Sequence, residues 1–101
     1  MILEVTQLGP DNGRGLREIT YRITNQSRKT AKQLRLTLYY LGNKGEKLKE
    51  VKTSIFDPAP SLTSGSVVEL VQPAFSVPRF TERVVVQVDT IRFEDGSEWQ
   101  R

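Results

Sequence analysis

The residue types that most often carry enzyme chemistry are scarce in this chain, because its 101 residues include no histidine and no cysteine. Their absence removes the commonest general base, the thiol nucleophile and the thiolate ligands of zinc sites. A serine activated by a nearby lysine is the remaining nucleophile, and no spacing selects one among Ser27, Ser54, Ser61 and Ser64. The sequence therefore predicts a protein that is not an enzyme and has no catalytic residues.

The carboxyl groups are better explained by turns and ion pairs than by acid–base or metal chemistry. Asp95 precedes a glycine, as is typical of hairpin turns, and Glu98 suits an ion pair with Arg92. The loop around Asp11 and Asn12 lacks the several carboxylates that calcium requires. The nearby glycines do not form a phosphate-binding motif, because no helix follows them. We therefore expect no metal, no cofactor and no small-molecule substrate.

Basic residues recur along the two arms of one predicted hairpin: Arg28, Lys29, Lys32, Arg35, Lys44, Lys47, Lys49 and Lys52. A strand of period two places Lys47 and Lys49 on one face, where they could attract nucleic acid, anionic lipid or acidic protein. Glu46 and Glu50 are interleaved with them and dilute that attraction. Lysines on an edge strand also prevent unwanted pairing with other chains. Edge protection is the preferred interpretation, and weak polyanion binding by Lys44–Lys52 is the alternative.

Tyr39 is the aromatic residue best suited to a binding surface. Leu38 and Tyr40 are expected to face the core, which turns Tyr39 to the opposite face beside the basic residues. An exposed tyrosine near basic groups is typical of protein interfaces. The predicted interaction surface consists of Tyr39, Arg35, Lys47, Lys49 and Lys52. With a net charge of only +3, we expect a protein partner, with nucleic acid unlikely and a membrane surface contacted only weakly.

About seven short β-strands position these residues, and no amphipathic helix is indicated. The strands are predicted at residues 2–8, 16–24, 32–41, 46–55, 67–71 and 83–93, with a short return strand carrying Trp99. A helix over 32–41 is the rival interpretation, since Ala31, Leu34 and Leu38 have helical spacing. The period-two run that ends at Tyr40 outweighs it. These strands predict an all-β, immunoglobulin- or fibronectin III-like antiparallel sandwich, forming a single domain over residues 1–101.

The strand periodicity also predicts the core: Ile19, Tyr21, Ile23, Leu34, Leu36, Leu38, Val68, Leu70, Val84, Val86 and Val88. In the first strand Ile2 is expected to point inward, with Val5 or Leu8 as further candidates. Phe75 and Val77 are expected to close one end of the core. Asn25-Gln-Ser27 has the form of a glycosylation acceptor and is interpreted as the polar end of a strand.

The last hairpin can adopt two registers. A two-residue Asp95-Gly96 turn would place Trp99 opposite Arg92, mixing apolar and charged groups. A three-residue loop with Gly96 in the left-handed region places Trp99 opposite Ile91. It puts the apolar side chains on one face of the hairpin and the charged side chains on the other. We predict the second register, with Trp99 packed on Ile91, and a bulge near Asp89-Thr90 that changes the phase of the strand.

Several motifs carry a resemblance to a known family. They are Arg22-Ile-Thr-Asn-Gln-Ser27, Leu34-Arg-Leu-Thr-Leu-Tyr-Tyr40, Asn43-Lys-Gly45, Ser64-Gly65 and Phe93-Glu-Asp-Gly-Ser97 with Trp99. Over roughly Leu16 to Trp99 the chain resembles bacterial FxLYD-type immunoglobulin-like domains, although the family's Asp after Leu-Tyr is here Tyr40. The resemblance implies a small bacterial sandwich, often attached to cell-envelope proteins, without a shared catalytic site.

The sequence leaves two compartments open. No apolar run approaches the ~20 residues that span a bilayer, and the stretch from Met1 to Thr6 alternates like a strand instead of resembling a signal peptide. A whole protein of this kind would be cytoplasmic, whereas an excised domain would belong to the bacterial envelope. The expected function is that of a non-catalytic interaction or structural module, an accessory domain that binds another protein.

Overall fold

A computed structural model describes residues 1–10, 12–56 and 62–101 of the chain. The described residues form seven strands: β1 (Ile2–Leu8), β2 (Arg17–Thr24), β3 (Ala31–Leu41), β4 (Lys47–Phe56), β5 (Val67–Ala74), β6 (Arg83–Phe93) and β7 (Glu98–Gln100). They build two antiparallel sheets, β1-β2-β5 and β4-β3-β6-β7. The predicted all-β sandwich is confirmed, and the helical interpretation of residues 32–41 is wrong. Asp11 and Ser61, considered above for metal binding and catalysis, lie outside the described residues.

The sandwich forms because each strand turns one apolar face toward the other sheet. All of the predicted core residues are buried except Leu70, Val86 and Val88, which are partly buried against the core. The core also contains Tyr40 and Val77, which were expected to face it, and six residues outside the predicted set: Ala31, Ile55, Leu62, Ala74, Ile91 and Phe93. β3 supplies more buried core residues than any other described strand, because it pairs with strands on both sides and is buried by the facing sheet.

Two inward assignments are wrong. Ile2 pairs with Thr24 on the outer face and is exposed, while Leu3 and Val5 on the same strand pack inward. Phe75 is 71% exposed, although its neighbour Val77 is buried as expected. Both errors lie at the ends of edge strands, where the pleat is not constrained by partners on both sides.

The final hairpin has the predicted register. Ile91 pairs with Trp99 and Arg92 with Glu98, and the Gly96 N–H donates to the Phe93 carbonyl at 3.1 Å. Gly96 has a φ of 87°, the left-handed conformation that only glycine adopts at little cost. Trp99 lies on the inner side of a short edge strand and remains 45% exposed.

The phase change in β6 is also confirmed. Arg35 pairs with Thr90 and Leu36 with Val88, which leaves Asp89 as the extra residue of a bulge. The bulge lets β6 bury Val84 before it and Ile91 after it, although their spacing breaks period two. It also turns the Asp89 side chain to the outer face of the sheet, where the candidate site lies.

Replacing Gly96 by alanine should destabilise the protein by about 1–2 kcal/mol, because a Cβ is disfavoured at positive φ. Asparagine tolerates this conformation better, so the Gly96→Asn variant should lose distinctly less. Urea unfolding of the two variants provides the comparison. Equal losses would show that the left-handed turn is not what Gly96 contributes.

Candidate protein-binding surface

The outer face of the β4-β3-β6-β7 sheet is not covered by any described element and carries a shallow depression. We call it the outer depression; its main lining residues are Arg35, Thr37, Tyr39, Lys52, Gln87 and Asp89. Three rungs of the sheet form its floor, because alternate residues of β3 point outward. Arg35 lies between Ser54 and Thr90, Thr37 between Lys52 and Gln87, and Tyr39 between Glu50 and Val85.

Asp89 organises one side of the depression. Its Oδ2 accepts a 2.5 Å hydrogen bond from the Thr37 hydroxyl, and its Oδ1 accepts from the Gln87 amide at 2.9 Å. Arg101 approaches Oδ1 at 3.4 Å, and the Arg101 N–H donates to the Asp89 carbonyl at 3.0 Å. The hydrogen bond from Thr37 is the main cause that holds the pKa of the Asp89 carboxyl below its ordinary value. The carboxylate is thus fixed and largely satisfied.

Acidification should remove the stabilisation that Asp89 provides. A carboxyl whose pKa is lower in the folded state contributes its full stabilisation above the unfolded pKa of about 4. That contribution is lost as pH falls from there through the folded pKa. The difference in unfolding free energy between wild type and Asp89→Asn should therefore shrink from about pH 6 to pH 2. Urea titrations at several pH values measure it; the lowered pKa of Asp95 is common to both proteins and cancels. A difference that stays constant with pH would contradict this role.

The structure brings together part of the predicted interaction surface. Arg35, Tyr39 and Lys52 all line the outer depression. On neighbouring strands of one face, Arg35 and Lys52 are diagonal neighbours, within reach of one ligand. Neither side chain forms an ion pair with any described residue, whereas Arg101 is paired with Asp89.

The prediction that Lys47 and Lys49 share a face is wrong. Lys49 pairs with Tyr40 and Lys47 with Leu41, so Leu48 is an extra residue that reverses the phase. The Lys49 ammonium donates to the Ser76 carbonyl at 3.1 Å, while the Lys47 ammonium lies 3.2 Å from Glu50. β4 is an edge strand, as the edge-protection interpretation requires.

Charge is unevenly distributed between the two outer faces. On the β4-β3-β6-β7 sheet the register places basic residues in excess: Arg35, Lys47, Lys52, Arg83, Arg92 and Arg101 against Glu50, Asp89 and Glu98. On the opposite sheet acidic residues prevail: Glu4, Glu18 and Glu69 against Arg22. The outer depression therefore lies in the positive face of a polarised molecule.

The residues that sequence reasoning missed here are Thr37, Gln87, Asp89 and Arg101. The break in periodicity at Asp89 located the bulge but gave no sign of the partners that the bulge brings together. No group of three or more metal-ligating side chains occurs among the described residues. The depression presents fixed charges and hydrogen-bonding groups, which suit recognition.

No family model, curated protein or solved structure matches this chain. Within the part of the chain that the structure describes, no helix is long and apolar enough to cross a membrane.

Proposed function

We propose that this protein is a non-catalytic accessory domain that binds another protein through the outer depression. In keeping with the family resemblance, we propose that it belongs to a bacterial cell-envelope protein. The observation that supports binding most directly is the position of Arg35 and Lys52. Two cations without an ion pair among the described residues flank one depression beside Tyr39.

Charge indicates the kind of partner. The basic excess of this face favours a protein surface that is locally acidic and speeds the encounter with it. Carboxylates on the partner would approach Arg35 and Lys52, while Tyr39 would supply apolar contact area with a polar end. The bound surface would replace water over a face that no described element covers.

A protein suits this face better than a nucleic acid. Glu50 and the fixed carboxylate of Asp89 lie among the basic residues and would repel a regular line of phosphates. The lysines between Lys44 and Lys52 also do not form a continuous basic surface. Lys47 and Lys49 point to opposite faces, and each has a partner within the molecule. Weak polyanion binding through Lys44–Lys52 is therefore the alternative that the experiment below must distinguish from protein binding.

The test is a selection of short peptides from an unbiased displayed library on the wild-type protein. We expect the selected peptides to be rich in Asp and Glu. The Arg35→Glu/Lys52→Glu variant should weaken their binding by about tenfold or more, since like charges then meet at the contact. Tyr39→Ala should weaken it by about fivefold. The matched control is Arg14→Glu/Lys44→Glu, which changes the net charge equally on loops away from the depression and should leave affinity unchanged.

Two results would contradict the proposal. Equal loss of binding in both double variants would mean that overall charge, not the depression, attracts the peptides. Submicromolar binding of duplex DNA at physiological salt, abolished by reversing Lys47 and Lys49, would replace protein binding by the polyanion alternative. In that case the affinity should fall steeply with added salt.

A further inference from the structure

The loop between β5 and β6, residues 75–82, presents two phenylalanines to solvent. Phe75 is 71% and Phe80 is 84% exposed, more than any other large apolar side chain among the described residues. The other phenylalanine whose side chain is described, Phe93, is buried. Neither the outer depression nor the core accounts for these two rings.

The backbone of this loop is strained at the same place. Ser76 has a φ of 57° and Phe80 a φ of 67°, and they are the described non-glycine residues with positive φ. For a bulky aromatic residue this conformation is a genuine outlier. Such strain persists only where surrounding contacts fix it, and it concentrates at ligand-binding sites.

Those surrounding contacts are present. The Val77 N–H donates to Gly15 at 3.0 Å and the Glu82 N–H to Leu41 at 2.9 Å. Arg17 donates to the Thr81 carbonyl at 3.0 Å. The loop is thus bound to neighbouring elements on both sides, and its framework holds Phe75 and Phe80 outward.

The position of the loop limits what could cover it. The longest strands have 11 residues and span about 36 Å, so they run along the 41 Å axis of the molecule. The loop lies at one narrow end, with a cross-section of 25 × 17 Å. That end offers about half of the ~800 Å² per partner that a typical stable protein interface buries.

Basic residues lie at the same end of the sandwich as the two rings. Arg79 adjoins Phe80, and the exposed side chains of Arg14, Lys44 and Arg83 belong to the same end of the sandwich. None of them forms an ion pair with a described residue. They outnumber the acidic residues in these segments, Asp11, Glu46 and Glu82. Protruding aromatic rings with adjacent cations match the interfacial region of an anionic bilayer.

We propose that the 75–82 loop is a membrane-contact site, which inserts Phe75 and Phe80 between the headgroups of an anionic bilayer. Arg79 and Arg14 bind the lipid phosphates. The long axis then stands away from the membrane and leaves the outer depression accessible from the side.

The test is flotation of the full chain with vesicles of phosphatidylcholine, with and without phosphatidylglycerol. Wild type should bind the anionic vesicles at least about fivefold more strongly than the neutral ones. That factor corresponds to the attraction of about one basic side chain to an anionic membrane surface. The Phe75→Ser/Phe80→Ser variant should lose about tenfold or more in affinity. The matched control, Val67→Ser/Val71→Ser, removes exposed apolar groups from the outer face of the other sheet and should bind like wild type.

Fluorescence locates the contact. In a Trp99→Phe background, Phe80→Trp should shift its emission to the blue on anionic vesicles and be quenched by brominated acyl chains. Trp99 in the wild type lies near the opposite end of β6 and should not respond. Phe80→Gly relieves the positive φ, so it should be at least as stable as wild type while losing the vesicles.

The proposal fails if wild type does not float with anionic vesicles, or if both double variants float equally. It fails likewise if Phe80→Gly is strongly destabilised, because Phe80 would then serve the fold. Self-association of wild type that disappears in Phe75→Ser/Phe80→Ser, without vesicle binding, would assign the rings to a second copy of the chain.

Discussion

Replacing Leu36 by alanine is expected to lower the free energy of unfolding by about 2–5 kcal/mol, the range for truncating a fully buried leucine. Leu36 is 1% exposed and lies on β3, an internal strand of the larger sheet with partners on both sides. Its cross-strand neighbours are Thr53 and Val88. The cavity would open at the centre of the sandwich, where both sheets limit relaxation. Urea unfolding monitored by circular dichroism measures the loss.

Leu48→Ala is the matched control, since Leu48 is an exposed bulge residue of the same sheet. Its loss should stay within about 0.5 kcal/mol, as for other surface substitutions. A loss below about 1 kcal/mol for Leu36→Ala would place that side chain at the surface and invalidate the phase assigned to β3.

Removing the Asn25 amide should cost about 2–4 kcal/mol, because four hydrogen bonds of a buried side chain would be lost and a cavity would remain. The side chain is fully buried, and its Nδ2 donates to the carbonyls of Lys29 at 2.9 Å and Leu62 at 2.8 Å. Its Oδ1 accepts from the Ser27 N–H at 3.0 Å and from the Ser27 hydroxyl. One side chain therefore joins the end of β2 to two loops. Asn25→Ala, followed by urea unfolding, measures its contribution.

Asn43→Ala provides the comparison, because Asn43 is an exposed residue of the turn between β3 and β4. That variant should unfold like wild type. A loss of less than about 1 kcal/mol for Asn25→Ala would mean that the remaining donors to these carbonyls, the Ala31 N–H and the Ser27 hydroxyl, suffice without the amide. The burial of this amide also shows why Asn25-Gln-Ser27 cannot accept a glycan in the folded protein: both of its hydrogens are donated internally.

The strands and the register of the last hairpin could be predicted from the sequence, because β-strand periodicity and turn geometry act locally, whereas the order of strands in the two sheets was not predicted. Ile19, Tyr21 and Ile23 alternate without interruption, and β2 follows the same phase. Even the bulge at Asp89 could be inferred, since the apolar positions before and after it differ by one residue. The register of the last hairpin followed from the conformational freedom of Gly96.

The residues that line the outer depression could be predicted only in part. Arg35, Tyr39 and Lys52 were placed together because they lie on strands whose phase was clear. Lys47 and Lys49 were misplaced, because the bulge at Leu48 reverses the phase and only the pairing with β3 locates it. The hydrogen bonds of Asp89 join β3 and β6, residues that are far apart in sequence. No local pattern specifies such a contact.

The wrong prediction for Phe75 has a similar cause, because contacts distant in sequence fix the direction of its side chain. Phe75 and Val77 were both expected to close one end of the core, and only Val77 is buried there. The tertiary contacts of the 75–82 loop, which hold Ser76 and Phe80 at positive φ, are invisible to periodicity. The sequence shows that such a residue is apolar, and its pattern does not specify whether the side chain points into the core or toward solvent.

The most direct test of the proposed function is an amide chemical-shift map of the protein with a selected acidic peptide. Binding in the outer depression predicts that the largest shifts fall on β3, β4 and β6, around Arg35, Tyr39 and Lys52, and that they vanish in Arg35→Glu/Lys52→Glu. The β1-β2-β5 sheet should be unaffected. Shifts concentrated on that sheet or on the 75–82 loop, with the peptide still bound, would contradict the assignment of the outer depression as the protein-binding surface.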